Sequence, residues 1–292
     1  MIWQNLYLHK WTADDPELQT MWNYLFRTVM RCNHSLELLH HHKQLLTPSQ
    51  QMAYSSEVRA LRALFYYQLM DLFARVPLVT NTETAVERVQ PRSRSEIFRF
   101  LVDELQVVSF FVGDGANLCS DELQAALPHL SAAHSNLLGN HYGRLTRPVA
   151  QFLLARLALN AEVYMDDDWT DSTRPNGASI WFAVGEKSLN AWQTVVAYTD
   201  SLAASGYALE PSYAGNFAVA NEHSQENIFT IPMDKTLYAN SFKNLFRTLH
   251  YIHGGALARG AENGSSATRT TLTAFGYATP AQDPRFALNF FA

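Results

Sequence analysis

Ser56-Glu57-Val58-Arg59-Ala60-Leu61-Arg62-Ala63-Leu64-Phe65-Tyr66-Tyr67-Gln68-Leu69, running on to Phe73-Ala74-Arg75-Val76-Pro77-Leu78-Val79-Thr80, is the stretch that decides the fold class. Val58, Leu61, Leu64, Phe65, Leu69, Leu72 and Phe73 recur at threes and fours, which puts them on one face of a helix. Upstream, Thr47-Pro48 supplies an N-cap hydroxyl followed by a proline at the first helical position. Downstream, the ring of Pro77 disfavours helix in the residue before it, so the helix stops ahead of it.

Working outward, the same period recurs on both sides. Leu18, Met21, Trp22, Leu25, Phe26, Val29, Leu36 and Leu39 predict a helix over 17–42. Ser93-Arg94-Ser95-Glu96 is a capping box that launches a helix through Ile97, Phe98, Leu101, Leu105 and Val108, ending near Gly113. Thr146-Arg147-Pro148 opens a fourth through Val149, Phe152, Leu153, Leu157 and Tyr164, and alanines at 150, 155, 158 and 161 leave room for another helix to approach closely. A fifth is predicted from Trp181 to Ala204, closed at Ser205-Gly206 by a left-handed glycine. Beyond Gly206 the character changes. Tyr207-Ala208-Leu209, Tyr213 to Phe217 and Asn227 to Pro232 suggest short extended pieces and loops, and residues 254–276 are rich in Gly, Ser, Thr and Ala. The expectation is a mainly α protein, a TPR-like helical-pair superhelix over 17–205 with a loop-rich ligand-binding segment over 206–292, in one domain spanning 1–292. No strict 34-residue repeat is legible.

Composition narrows the function classes. Hydrophobic residues make up 47% and charged residues 17%, enough for a core and against general disorder. The net charge of -5 comes without a basic stripe, which argues against nucleic acid as a partner. Six Trp, 13 Tyr and 17 Phe exceed what a plain helical scaffold needs and suit ring faces shown to a ligand, while any single ring equally suits filling a gap between helices. Cys32 and Cys119 lack metal-ligand spacing and read as buried free thiols. The longest apolar runs fall well short of a membrane span. The start lacks a basic n-region and cleavage site, and the end stops on apolar residues, so both ends look cut.

The motifs that carry chemistry elsewhere are weak here. His40-His41-His42 cannot converge on one ion while a helix persists, because adjacent helical residues point about 100° apart. His250 and His253 lack a third ligand. Met165-Asp166-Asp167-Asp168 lacks the glycine and terminal glutamate of a calcium loop and reads as a helix-to-loop junction. Gly113-Asp114-Gly115 is a fragment of a nucleotide fingerprint that follows a helix. No G-x-S-x-G elbow or H-E-x-x-H is present, and nothing sets Glu83 and Glu87, or Asp103 and Glu104, across a cleft. No acid or base pair stands out, so an enzyme is the weaker reading.

The stretch quoted first resembles the signature of the SusD/RagB family, an acid-x-arginine-x-leucine-arginine-alanine run with aromatics leading into a phenylalanine-glycine-acid-valine-proline-leucine turn. Ala74 and Arg75 stand where the family has glycine and an acid or asparagine. Trp22 to Asn33, Pro91 to Glu96 and Gly143 to Arg156 resemble further family elements in the right order. So do Gly206 to Leu209 with Phe217, Ser224 to Phe229, and Asp283-Pro284-Arg285. The resemblance implies an outer-membrane, cell-surface lipoprotein whose lipid anchor lies outside this chain. It would capture oligosaccharides, or in some members peptides, and pass them to a SusC-like TonB-dependent transporter for which it acts as a lid. It also implies a binding protein that uses no cofactor or metal and has no catalytic residues, with Glu57, Arg59 and Arg62 as scaffold forming helix-to-helix ion pairs. No ligand residue carries over by motif, so candidates come from physics: aromatic faces for the apolar side of a pyranose, flanked by planar polar groups. Two segments qualify. Trp3, Tyr7 and Trp11 sit with Asp14 and Asp15 ahead of the first full helix, and Tyr238, Asn240, Asn244, Tyr251 and His253 sit in the loop-rich part.

Overall fold

In a computed structural model of the chain, the described residues are 2–84, 86–106, 126–233, 250–256 and 266–290. They divide into two compact units, Met1–Leu209 with Gln225–Thr230, and Glu210–Ser224 with Ile231–Ala292.

The first unit is mainly helical. A short α1 (Ile2–Tyr7) precedes α2 (Pro16–His41) and α3 (Pro48–Phe73). His40 and His41 close α2 and His42 caps it. Thr47 opens α3 as a capping box: its hydroxyl accepts from the Gln50 N–H at 3.2 Å, and the Gln50 side chain accepts from the Thr47 N–H at 3.0 Å. Past the end of α3, β1 (Val76–Pro77) pairs antiparallel with β2 (Pro91–Arg92), Val76 opposite Arg92. That pairing feeds the Ser93–Glu96 capping box, whose N–H to side-chain bonds measure 3.3 and 2.8 Å, into α4 (Arg94–Leu105). The helix stops at Leu105, well before Gly113. Gln106 turns to extended backbone, and its buried side-chain amide donates to the Tyr198 hydroxyl. A buried amide needs that partner, and continuing the helix would rotate it elsewhere.

Two other helices are shorter than the periodicity predicts. The fourth breaks into α5 (Arg147–Leu159) and α6 (Ala161–Tyr164), because the Asn160 side chain folds back onto the Arg156 carbonyl at 3.0 Å. Where one helix is expected from Trp181 to Ala204, a hairpin of β3 (Trp181–Val184) and β4 (Lys187–Asn190) precedes α7 (Ala191–Ala204). Gly185 at φ +61 supplies the positive φ that a two-residue hairpin turn needs. Asn190 then starts α7 by exchanging bonds with Gln193 at 3.0 and 3.1 Å. The predicted glycine stop is present: Gly206 has φ +93, and the Tyr207 N–H reaches back to the Leu202 carbonyl at 3.2 Å.

α3 packs against α2 and α4, and α5 runs along α7, giving helical pairs of the TPR-like kind. Ala150, Ala155, Ala158 and Ala161 are all buried, the small residues that close approach requires. Leu25, Val29, Ala63, Tyr66, Leu69, Phe98, Leu101 and Leu154 form the centre of the core, and Phe98 meets the Phe182 ring edge-on at 6.0 Å. The irregular run after β1 is held by side chains. The Tyr66 hydroxyl donates to the Val79 carbonyl at 2.9 Å and accepts from the Val79 N–H at 2.7 Å. Asn33 donates to the carbonyls of Val79 and Asn81 at 3.0 and 3.2 Å. Arg62 bonds Asn33 at 2.8 Å and forms a buried ion pair with Glu104 at 2.5 Å. Burial pushes the Tyr66 phenol up to about 12 and the Cys32 thiol up to about 11, so both stay neutral. Cys119 lies outside the described residues.

In the second unit, Tyr213–Phe217 forms a 3-10 turn where an extended piece is expected. The buried Asn216 fixes that turn, its side chain accepting from the Ser224 hydroxyl at 2.5 Å and its carbonyl accepting from Asn221 at 2.8 Å. Short helices α8 (Tyr251–Ala256), α9 (Arg269–Ala274) and α10 (Phe286–Asn289) follow. Phe286 packs on Tyr277 and Phe290, each with ring centroids 5.0 Å away. The Asp283-Pro284-Arg285 element closes on itself in an ion pair at 2.5 Å, and that guanidinium holds the Asp283 carboxyl down at about 2. No helix among the described residues is long and apolar enough to cross a membrane.

Candidate functional site

The motif residues first. Arg62 pairs α3 with α4 through Glu104, as scaffold. Glu57 instead reaches Arg144, in the loop ahead of α5, with the Arg144 Nε–Glu57 Oε1 bond at 2.9 Å and a second bond from Nη2 to Oε2. This bidentate fork fixes both planes. The Glu57 carboxylate raises the pKa of the Arg144 guanidinium, mainly through that hydrogen bonding. Gly143 at φ +74 and the Ser135 hydroxyl, bonded to the Arg144 carbonyl at 2.6 Å, set where the fork is presented.

Beside that fork lies a half-open cleft of about 250 Å³, lined by Tyr54 and Glu57 of α3, by His129 and Ser131, and by His141 and Arg144. Tyr54 is 40% exposed there. Sequence reading missed the cleft because its two walls are far apart in the chain, although both Glu57 and Arg144 lie in stretches that it singled out. The Asp166–Asp168 junction is structural: Asp167 accepts from the Ser95 N–H and hydroxyl at 3.0 and 2.6 Å, anchoring it to the start of α4. Next to it, Trp169 is half exposed, with the Arg174 guanidinium 5.0 Å over its ring. Trp169 has no periodic neighbours in the sequence that would mark it.

The predicted aromatic segments separate. Trp3 and Tyr7 lie four residues apart in α1, and Tyr7 is exposed. The chain reverses at His9, φ +55, and brings the His9 and Trp11 rings to 5.1 Å, with Trp11 45% exposed. Asp15 stabilises this turn by accepting from the Thr12 N–H at 3.0 Å, and Asp14 is exposed. In the second unit, Tyr251 and His253 lie on α8, where Tyr251 is exposed and stacks near His250 at 4.2 Å. Tyr238, Asn240 and Asn244 lie outside the described residues.

Residues 1–134 match a SusD-like family model described as starch-binding associating with outer membrane. The match covers somewhat less than half of the chain, and over it the sequence is similar to the SusD-like family. Its fold is also that of solved SusD-like structures. A surface glycan-binding protein A from Bacteroides uniformis aligns with TM-score 0.55 and 18% identity over 78% of this chain and 40% of its own. A SusD-like protein from Bacteroides fragilis aligns with TM-score 0.53 and 19% identity over 76% and 35%. A structure solved with a xylogluco-oligosaccharide aligns with TM-score 0.53 and 19% identity over 75% and 36%. The chain thus spans between 35% and 40% of the length of these structures. A comparison with curated protein sequences finds no significant match.

Proposed function

We propose that this chain is part of a cell-surface, lipid-anchored outer-membrane protein that binds nutrient oligosaccharides and delivers them to a SusC-like TonB-dependent transporter. The reading is of a binding protein and not of an enzyme. The observation that carries it is the shared helical fold with a surface glycan-binding protein and with a structure holding a xylogluco-oligosaccharide. The ligand contacts we assign are the aromatic residues Trp3, Tyr7 and Trp11 of the N-terminal segment and Tyr238, Asn240, Tyr251 and His253 of the loop-rich segment. Tyr7, Trp11 and Tyr251 support this by presenting ring surface to water, where desolvation against the C–H face of a sugar is favourable.

Isothermal titration with xylogluco-, laminari- and malto-oligosaccharides tests the reading. At least one class should bind, and Trp11→Ala should weaken it by about tenfold, the loss of one stacking contact. Absence of binding to every neutral glycan sinks the carbohydrate reading; unchanged affinity in the Trp11 variant removes the N-terminal segment from the site. Delivery is tested separately, by co-purification with a TonB-dependent transporter from the native membrane.

A further inference from the structure

We infer that the cleft between the first half of α3 and the 129–145 loop is a subsite for a single, uncharged pyranose residue, distinct from the exposed aromatic segments; the inference rests on the carbohydrate reading above. Its size comes first. At about 250 Å³ it lies below the roughly 300–1,000 Å³ of pockets that enclose a whole drug-sized ligand, so it accepts one ring of a chain that continues outside.

Its chemistry selects what that ring is. Glu57 and Arg144 cancel each other's charge. The facing edges of the bidentate fork bond each other, and the Arg144 Nη1 also donates to the Asn140 carbonyl at 3.4 Å. This fixes in plane the outer carboxylate lone pairs and the outward Nη hydrogens as neighbouring acceptor and donor on partly exposed groups. A vicinal diol needs that combination, each hydroxyl both donating and accepting. Ser131, His129 and His141 add polar groups around the same space, while the exposed Tyr54 ring offers an apolar face. A purely apolar side chain entering here would desolvate the fork without replacing its water bonds. An anionic sugar would face the Glu57 carboxylate together with the guanidinium, with no net attraction.

The test uses the full chain with the same oligosaccharide panel. Tyr54→Ala should weaken the bound oligosaccharide by about tenfold, while Tyr54→Phe, which keeps the ring, stays within about twofold. His141→Ala provides a second variant away from the helix. Amide exchange with saturating oligosaccharide should show protection at residues 141–145. Wild-type binding that is untouched by Tyr54→Ala and His141→Ala, with no added protection in 141–145, overturns the subsite and leaves the carbohydrate reading standing. No binding by the wild type overturns both.

Discussion

Ala74 holds a backbone conformation that side chains other than glycine rarely adopt. At φ +60 and ψ −70 it forms a γ-turn, closed by the Arg75 N–H on the Phe73 carbonyl at 2.7 Å. The turn is forced from outside. Val76 is paired in β1, and Tyr66, Asn33 and Arg62 pin the backbone of 79–81, so the chain must reverse within one residue of α3. Strain of this kind costs roughly 1–3 kcal/mol and persists only where the surroundings over-determine it. Ala74→Gly should therefore raise stability by about 1 kcal/mol, after allowing for glycine's larger unfolded-state entropy, read as a higher denaturation midpoint with an unchanged denaturant slope. A lower midpoint would mean that the alanine methyl packs better than the turn is strained.

At the scale of elements, α3 and α4 are joined by a charge pair that water does not reach. The side chains of Arg62 and Glu104 are 6% and 0% exposed. Removing one partner leaves the other buried and uncompensated, so Glu104→Leu should cost about 3–5 kcal/mol in chemical denaturation. The double variant Arg62→Met with Glu104→Leu should cost less than the sum of its single changes, because it leaves no orphan charge. The junction of β4 and α7 rests on a smaller device, the Asn190 cap. Asn190→Ala should destabilise by about 1 kcal/mol, and local amide exchange should speed up over the first turn of α7. These elements also explain how much was legible in advance. The N-cap at Thr47, the capping box at Ser93 and the glycine stop at Gly206 act within a few residues, so the sequence displays them. The hairpin at 181–190 was hidden, because Trp181, Phe182 and Val184 also fit a helical period over so short a run. Only the Val184-Gly185-Glu186-Lys187 turn distinguishes the two.

For the whole molecule, the proposed neutral subsite carries the consequence of salt independence. The cleft balances one carboxylate against one guanidinium. Affinity for a neutral oligosaccharide should change by less than about twofold between about 0.05 and about 0.5 M salt. A steep fall would overturn the neutral-site reading, whereas steeply salt-dependent binding of a charged peptide would favour peptide capture. What the sequence alone determined is the helical class, the caps, the small-residue faces and the ordered resemblance to SusD/RagB elements, since all of these depend on spacing along the chain. The scaffold role of Arg62 was also expected there, though its partner Glu104 was not. Tertiary structure alone decided that Glu57 turns to Arg144 and not to a neighbouring helix, and that the fork borders a cleft with Tyr54 and His141. Such a site is made by residues separated by 87 positions, brought together by burial of the α3 core. Hydrophobic burial is non-directional, so local pattern says which residues go inside and leaves unspecified which polar groups meet at the surface.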